Sequence, residues 1–251
     1  MIDAAIVTRL RAAGCVFAEE EAVLLTEAAQ DADQLERMLL DREAGRPLEQ
    51  VLGWAEFAGI RVVMEPGVFV PRRRSELLVR IAAARAPEAA VAVDLCCGSG
   101  ALGAALHAVR PDLEVHAADV DPAAVACARR NLPPERVHEG DLYGALPGHL
   151  RGRVGVLVVN APYVPTDAIA LMPPEAREHE HRVALDGGTD GLDVQRGVCA
   201  GASDWLGAGG VLVIETGRDQ ADTTADLIAA AGLTPEQVTD RQVGGVAVVG
   251  S

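Results

Sequence analysis

The chain has 251 residues, 49% hydrophobic and 24% charged, enough to bury one large core or a medium core with a small appendage. Its net charge is −15; all 22 basic residues are Arg, and the only cluster among them is Arg72-Arg73-Arg74, with no basic stripe. Gripping a phosphate backbone takes many basic groups that release counterions, so a direct nucleic-acid substrate is not expected, and no apolar stretch nears the ~20 residues of a membrane span.

Residues 1 to about 46 are helical in pattern. Ile6 and Leu10 recur at i, i+4, as do Leu35 and Leu39, and Glu19-Glu20-Glu21 opens a middle helix carrying Val23, Leu24 and Leu25. Gly45-Arg46-Pro47 ends this block. Trp54 to Val63, a Glu65-Pro66-Gly67 turn and Val68-Phe69-Val70-Pro71 then read as a hairpin. A helix follows around Ser75 to Ala84.

From Ala90 the pattern alternates. Val91 to Leu95, Glu114 to Asp119, Arg136 to Glu139, Val154 to Val159 and Gly210 to Glu215 read as strands. Helices fall near Ala101 to Val109, Pro122 to Asn131, Asp193 to Trp205 and Gln220 to Ala231. Continuous apolar strands alternating with helices predict a parallel, doubly wound sheet, finished by a pair near Val238 to Gln242 and Val246 to Val249.

Two strand ends carry the chemistry. Asp94-Leu95-Cys96-Cys97-Gly98-Ser99-Gly100 ends the first strand of the alternating region, and its glycines let the backbone turn sharply and approach a ligand. The next helix points its N–H groups at the same place. Asp119 ends the next strand, where an acid accepts hydrogen bonds from ribose hydroxyls. Gly140-Asp141-Leu142 ends the third, where an adenine edge would lie. Three acids at three successive strand ends suit a ligand without phosphate and with a cationic sulfonium, S-adenosylmethionine, better than a dinucleotide. The plain alternative is that Asp119 and Asp141 only cap turns or helices.

The second feature is Asn160-Ala161-Pro162-Tyr163, which closes the strand Val154 to Val159 about sixty residues after the turn. A planar amide or adenine nitrogen is a poor nucleophile because its lone pair is delocalised. The Asn160 side-chain oxygen and the residue-161 carbonyl could each accept an N–H, orienting that nitrogen and stabilising the charge it gains. Tyr163 would cover the substrate plane. The competing reading is an ordinary chain reversal, since Asn and Pro are turn residues.

In these residues the sequence resembles the protein-(glutamine-N5) methyltransferases, whose best-known members modify the Gly-Gly-Gln loop of peptide-chain release factors. The likeness runs from about Arg46 to Gly217 and includes Pro47 to Gly53, Val70-Pro71-Arg72, Asp94 to Gly100, Asn160 to Tyr163, Leu185 to Leu192, and Glu215-Thr216-Gly217 with Gln220 beyond. The resemblance implies a Rossmann-like, seven-stranded α/β methyltransferase domain over 74–251. It also implies an N-terminal helical substrate-recognition domain over 1–53 and a β-hairpin linker over 54–73. It places cofactor contacts at Cys96, Gly98, Gly100, Asp119, Leu142 and Asn160, to which the strand-end reading adds Asp94 and Asp141. Substrate contacts fall at Asn160, Ala161, Pro162 and Tyr163. The implied cofactor is S-adenosyl-L-methionine and the partner a release factor or another glutamine-bearing protein; the unpaired cysteines point to the cytoplasm, and a monomer is expected. Three departures stand out: Ala161 replaces a proline, Cys96 a glycine, and Arg73-Arg74 a proline-acid pair before the retained Glu76.

Other classes compete. A small-molecule methyltransferase could use the helical segment as a lid, an adenine methyltransferase shares the Asn160 motif, and an adaptor could keep the fold without catalysis. Glu178-His179-Glu180-His181 lacks a third ligand in an obvious place, so no metal is expected. Five cysteines without a Cys-x-x-Cys pair or secretory leader read as reduced thiols. Cys127 and Cys199 read as small buried hydrophobes and Cys96-Cys97 as packing. Arg72 to Arg74 reads equally as a partner-binding cluster or a solvated turn.

Overall fold

The computed structural model describes residues 3–251; Met1 and Ile2, the start of the expected helical domain, lie outside the described residues. Asp3 caps helix α1 (Ala4–Ala12) by accepting the Ala5 N–H, and Asp31 caps α3 (Ala32–Glu43) by accepting that of Gln34. Between them runs α2 (Ala18–Ala28), whose first turn holds Glu19, Glu20 and Glu21 against the positive helix end. Ile6, Leu10, Leu25, Met38 and Leu39 bury together, and Leu48, Val51 and Leu52 of α4 (Leu48–Leu52) pack on them. This helical block therefore has a core of its own.

The hairpin forms, but its turn falls earlier than expected. Strands β1 (Trp54–Phe57) and β2 (Ile60–Val63) pair antiparallel around Ala58 and Gly59, both at positive φ (48° and 80°), the geometry whose twist matches the strands. Val68 to Pro71 does not join the ladder. Glu65 begins a second turn, and the Val70 N–H bonds the Glu180 carboxylate instead of a strand. Phe57, Val62, Val68 and Val70 bury in the same cluster as the sheet, so the hairpin packs onto the sheet's core.

Helix α5 (Glu76–Arg85) leads into a seven-stranded sheet. In chain order come β3 (Val91–Leu95), α6 (Ala101–Val109), β4 (Glu114–Asp119), α7 (Pro122–Ala128), β5 (Val137–Glu139), β6 (Val154–Val159), α8 (Pro174–His179), α9 (Asp193–Trp205), β7 (Leu206–Glu215), α10 (Ala221–Ala230), β8 (Pro235–Asp240) and β9 (Gly245–Gly250). The spatial order is β5-β4-β3-β6-β7-β9-β8, parallel except for β9, which runs against both neighbours. Every residue of β3 and of β6 is buried, because helices cover both faces. Alternate residues feed two cores, one under α5 and α6, the other under α9 and α10.

Element ends moved where side chains found distant partners. Helix α7 stops at Ala128, and the Asn131 side chain then bonds Val63 and the Ser99 carbonyl. Strand β7 starts four residues before Gly210, its Gly-rich opening taken up by a bulge against β6. Cys127 and Cys199 are buried, and all five cysteines are free. No helix among the described residues is long and apolar enough to cross a membrane.

Candidate active site

The chain leaves β3 toward β4 on one side and returns to β6 on the other, so the carboxyl ends of β3 and β6 flank a topological switch point. Leu95 and Val159 are register partners, which places Cys96 and Asn160 next to each other at the sheet's rim. A cavity of about 360 Å³ opens there.

Its cofactor-like end is built from three strand exits. After β3 the backbone is left-handed at Cys96, Gly98 and Gly100. A methyl on Gly98 would meet no protein atom within 4 Å, so this glycine faces open space in the cavity wall. A methyl on Gly100 would lie 3.1 Å from Ala128 Cβ, so this glycine turns the chain into α6 and packs on α7. Asp119 accepts the Gly98 N–H of this turn at 2.8 Å through one oxygen and the Asp121 N–H of its own turn at 2.9 Å through the other, while still lining the cavity. Burial pushes its carboxyl above the usual range despite those bonds. Asp141 and Leu142 line the wall after β5, with Leu142 at a φ of 42°.

Asp94 lies behind this wall rather than in it. It is 1% exposed, its Oδ2 accepts the Gly103 N–H at 2.8 Å, and its Oδ1 has no partner. Burial pushes its carboxyl up to about 8. Of the eight residues expected to hold cofactor, Cys96, Gly98, Asp119, Asp141, Leu142 and Asn160 line the cavity, while Asp94 and Gly100 support it from behind. The acids Asp119, Asp121 and Asp141 and a bare glycine surface in the lining fit a cationic sulfonium nucleoside.

The other end is built from Asn160 to Tyr163, all four of which line the cavity. Asn160 Nδ2 donates to the buried Ser75 Oγ at 3.3 Å, which leaves the amide oxygen as the group free to accept. The Ala161 carbonyl receives no hydrogen bond from the described residues. The stretch from Leu185 to Leu192 buttresses this turn. Val164 exchanges backbone bonds with Leu185 and Gly187, and Gln220 Nε2 bonds the carbonyls of Tyr163 and Asp190, each at 3.0 Å.

The basic cluster is neither a free patch nor a solvated turn at two of its three positions. Arg72 reaches the buried Glu180 at 2.6 Å, and Arg74 reaches the buried Glu215 at 3.0 Å and the Tyr163 hydroxyl at 2.7 Å. Burial, then the neighbouring Glu215, pushes the Tyr163 phenol up to about 12. The sequence motifs mark Arg74 only as part of a basic cluster and give Ser75 and Glu215 no role in the site. A strand-end rule extended to β7 would have marked Glu215; nothing local marks Ser75. His179 and His181 point apart, to the Ala44 carbonyl and to Asp121 Oδ2.

Comparison with known proteins places this geometry. The family model described as Methyltransferase small domain matches residues 59–172. A release factor glutamine methyltransferase of Geobacter sulfurreducens is 38% identical over 201 residues, covering 78% of this chain and 70% of its own length. One from Streptomyces coelicolor is 41% identical over 180 residues, covering 69% of this chain and 64% of its own. Among solved structures, a methyltransferase from Pyrococcus furiosus aligns with a TM-score of 0.57 at 17% identity, covering 88% of this chain and 98% of its own, which shows a shared fold.

Proposed function

Since the chain belongs to the release factor glutamine methyltransferase family, we propose that it transfers a methyl group from S-adenosylmethionine to the side-chain amide of a glutamine in a peptide-chain release factor. The observation that carries this is the pair of unengaged acceptors, Asn160 Oδ1 and the Ala161 carbonyl, beside the β3 turn. An amide NH₂ has two hydrogens, and two acceptors can hold both. The nitrogen is then aimed at one point, and the charge it gains on alkylation falls near two oxygen dipoles, so the wall binds the transition state better than the resting amide. Positioning alone can supply several kcal/mol, up to roughly 7–11 in ideal cases.

Bound S-adenosylmethionine would supply a methyl group on a positively charged sulfur. Cys96, Gly98, Asp119, Asp141 and Leu142 would hold it, with Asp94 and Gly100 shaping the turn from behind. Ser75 turns the Asn160 amide so that its oxygen, not its nitrogen, meets the substrate. Tyr163 and Pro162 wall the acceptor plane. In this reading residues 1–53 recognise the substrate protein, 54–73 link, and 74–251 carry out the transfer. The separate helical core supports the first division, whereas the hairpin's burial against the sheet ties 54–73 to the catalytic part.

The test is methylation of a purified release factor with methyl-labelled S-adenosylmethionine, with the modified residue mapped by mass spectrometry. Label on the glutamine of the Gly-Gly-Gln loop supports the proposal. Label on another protein's glutamine overturns only the substrate, and label on nucleic acid or free small molecules alone overturns the reaction class.

A further inference from the structure

At the acceptor end of the cavity, a charged pair surrounds the Tyr163 hydroxyl. Arg74 Nη2 lies 2.7 Å and Nε 3.1 Å from Tyr163 Oη, Nε also lies 3.0 Å from Glu215 Oε1, and the phenol lies 3.0 Å from that same oxygen. Arg74 donates to the phenol oxygen, so the phenol's single hydrogen goes to Glu215. Glu215 is buried at the end of β7, while Arg74 keeps its side chain 41% exposed on the cavity wall.

Each member needs the others. A guanidinium is a rigid planar fork, so two donors on one oxygen, one of them (Nε) shared with the carboxylate, set the tilt of the ring as well as its distance. Glu215 without Arg74 would be a buried unpaired charge. Arg74 without Glu215 would set a bare cation beside a nitrogen that becomes positive during transfer, which opposes the reaction. Paired, they add no net charge to the wall.

We propose that Arg74 is a positioning residue for methyl transfer: held by Glu215, it locks the Tyr163 hydroxyl so that the ring closes over the acceptor amide. This rests on the glutamine-amide reading of the same site. The full chain is assayed with release factor and S-adenosylmethionine, beside spectra of protein carrying an isotope label at tyrosine Cζ. Tyr143 is the only other tyrosine and serves as the internal standard.

Arg74→Met should lower kcat about 10- to 100-fold, the scale of lost bonds to a charged donor, with the KM for release factor changed less than about 3-fold. The Tyr163 signal should move and that of Tyr143 stay. Arg74→Lys, which keeps the charge without the fork, should fall between. Arg74→Met with Glu215→Gln leaves no buried unpaired charge, so it reads the same loss even if the single variant folds poorly.

A kcat within about 2-fold of wild type in the double variant overturns the proposal, because a lost charged hydrogen bond should cost more. An unmoved Tyr163 signal, or full activity in Arg74→Lys, overturns it equally. Failure of the wild-type chain to label release factor instead overturns the release-factor substrate of the proposed function, while the Tyr163 signal still reports whether the clamp exists.

Discussion

Replacing Asn160 with Ala separates transfer from folding. In the resting site Asn160 makes one side-chain bond, Nδ2 to Ser75 Oγ at 3.3 Å, near the long limit of useful geometry. Losing it should cost folding about 0.5–1.5 kcal/mol, the net worth of an ordinary hydrogen bond. The amide oxygen, by contrast, is free until substrate arrives, so its contribution appears only along the reaction. Removing one preorganised partner of a developing charge costs roughly 2.7–4 kcal/mol, or ~10²–10³ in kcat. The assay is single-turnover transfer to release factor with saturating cofactor, alongside thermal unfolding and calorimetric titration of S-adenosylmethionine. The expected pattern is a kcat loss of ~10²-fold or more, a small shift in melting temperature, and cofactor affinity that falls less than the rate. A rate loss below about tenfold, or a cofactor affinity that collapses while saturated transfer persists, would refute acceptance of the substrate N–H by Asn160.

Further expectations follow from the same geometry. Ala161→Pro should keep or raise the transfer rate, because the carbonyl carries the role and proline stiffens the turn; a loss of more than about tenfold in a folded variant would show a site rebuilt around alanine. The two turn glycines should separate by readout: Gly98→Ala should weaken S-adenosylmethionine binding in calorimetry. Both substitutions strain a left-handed residue, but Gly100→Ala should lower stability further, by ~1–3 kcal/mol through contact with Ala128, and a Gly98→Ala that destabilises as much while leaving binding intact would contradict the geometry. Asp94 predicts a pH signature. Its folded carboxyl is raised from 3.8 to about 8, so it favours folding while protonated, and stability is lost as pH rises through that window, by at most about 1.4 kcal/mol per unit from this group. Asp94→Asn should flatten the fall in melting temperature between pH 4 and 8, and identical pH slopes in the two proteins would contradict it.

Much of the fold was legible along the chain because both faces of a parallel strand are buried. Val91–Leu95, Glu114–Asp119 and Val154–Val159 had to be mostly apolar in their interiors, and the observed β3, β4 and β6 keep those ends. The strand-tip chemistry was legible for the same reason: Gly98, Asp119, Asp141 and Asn160 each follow a recognisable run, and the switch point gathers strand ends into one cavity. The hairpin was misplaced because Glu65-Pro66-Gly67 looks like a stronger turn than Ala58-Gly59, yet only the latter has the paired positive φ angles that join two twisted strands.

What sequence order could not decide was which side of each turn faces the cavity and who partners whom across it. Asp94 and Asp119 are both strand-end acids, but the first bonds the helix behind the turn and the second the turn's own face. Ser75 and Asn160 are 85 positions apart, and Arg74 and Glu215 are 141 apart. The sheet order that sets β6 between β3 and β7 brings these pairs within hydrogen-bond reach. Local pattern sets where a strand ends; the packing of distant strands and helices sets what its last side chain meets.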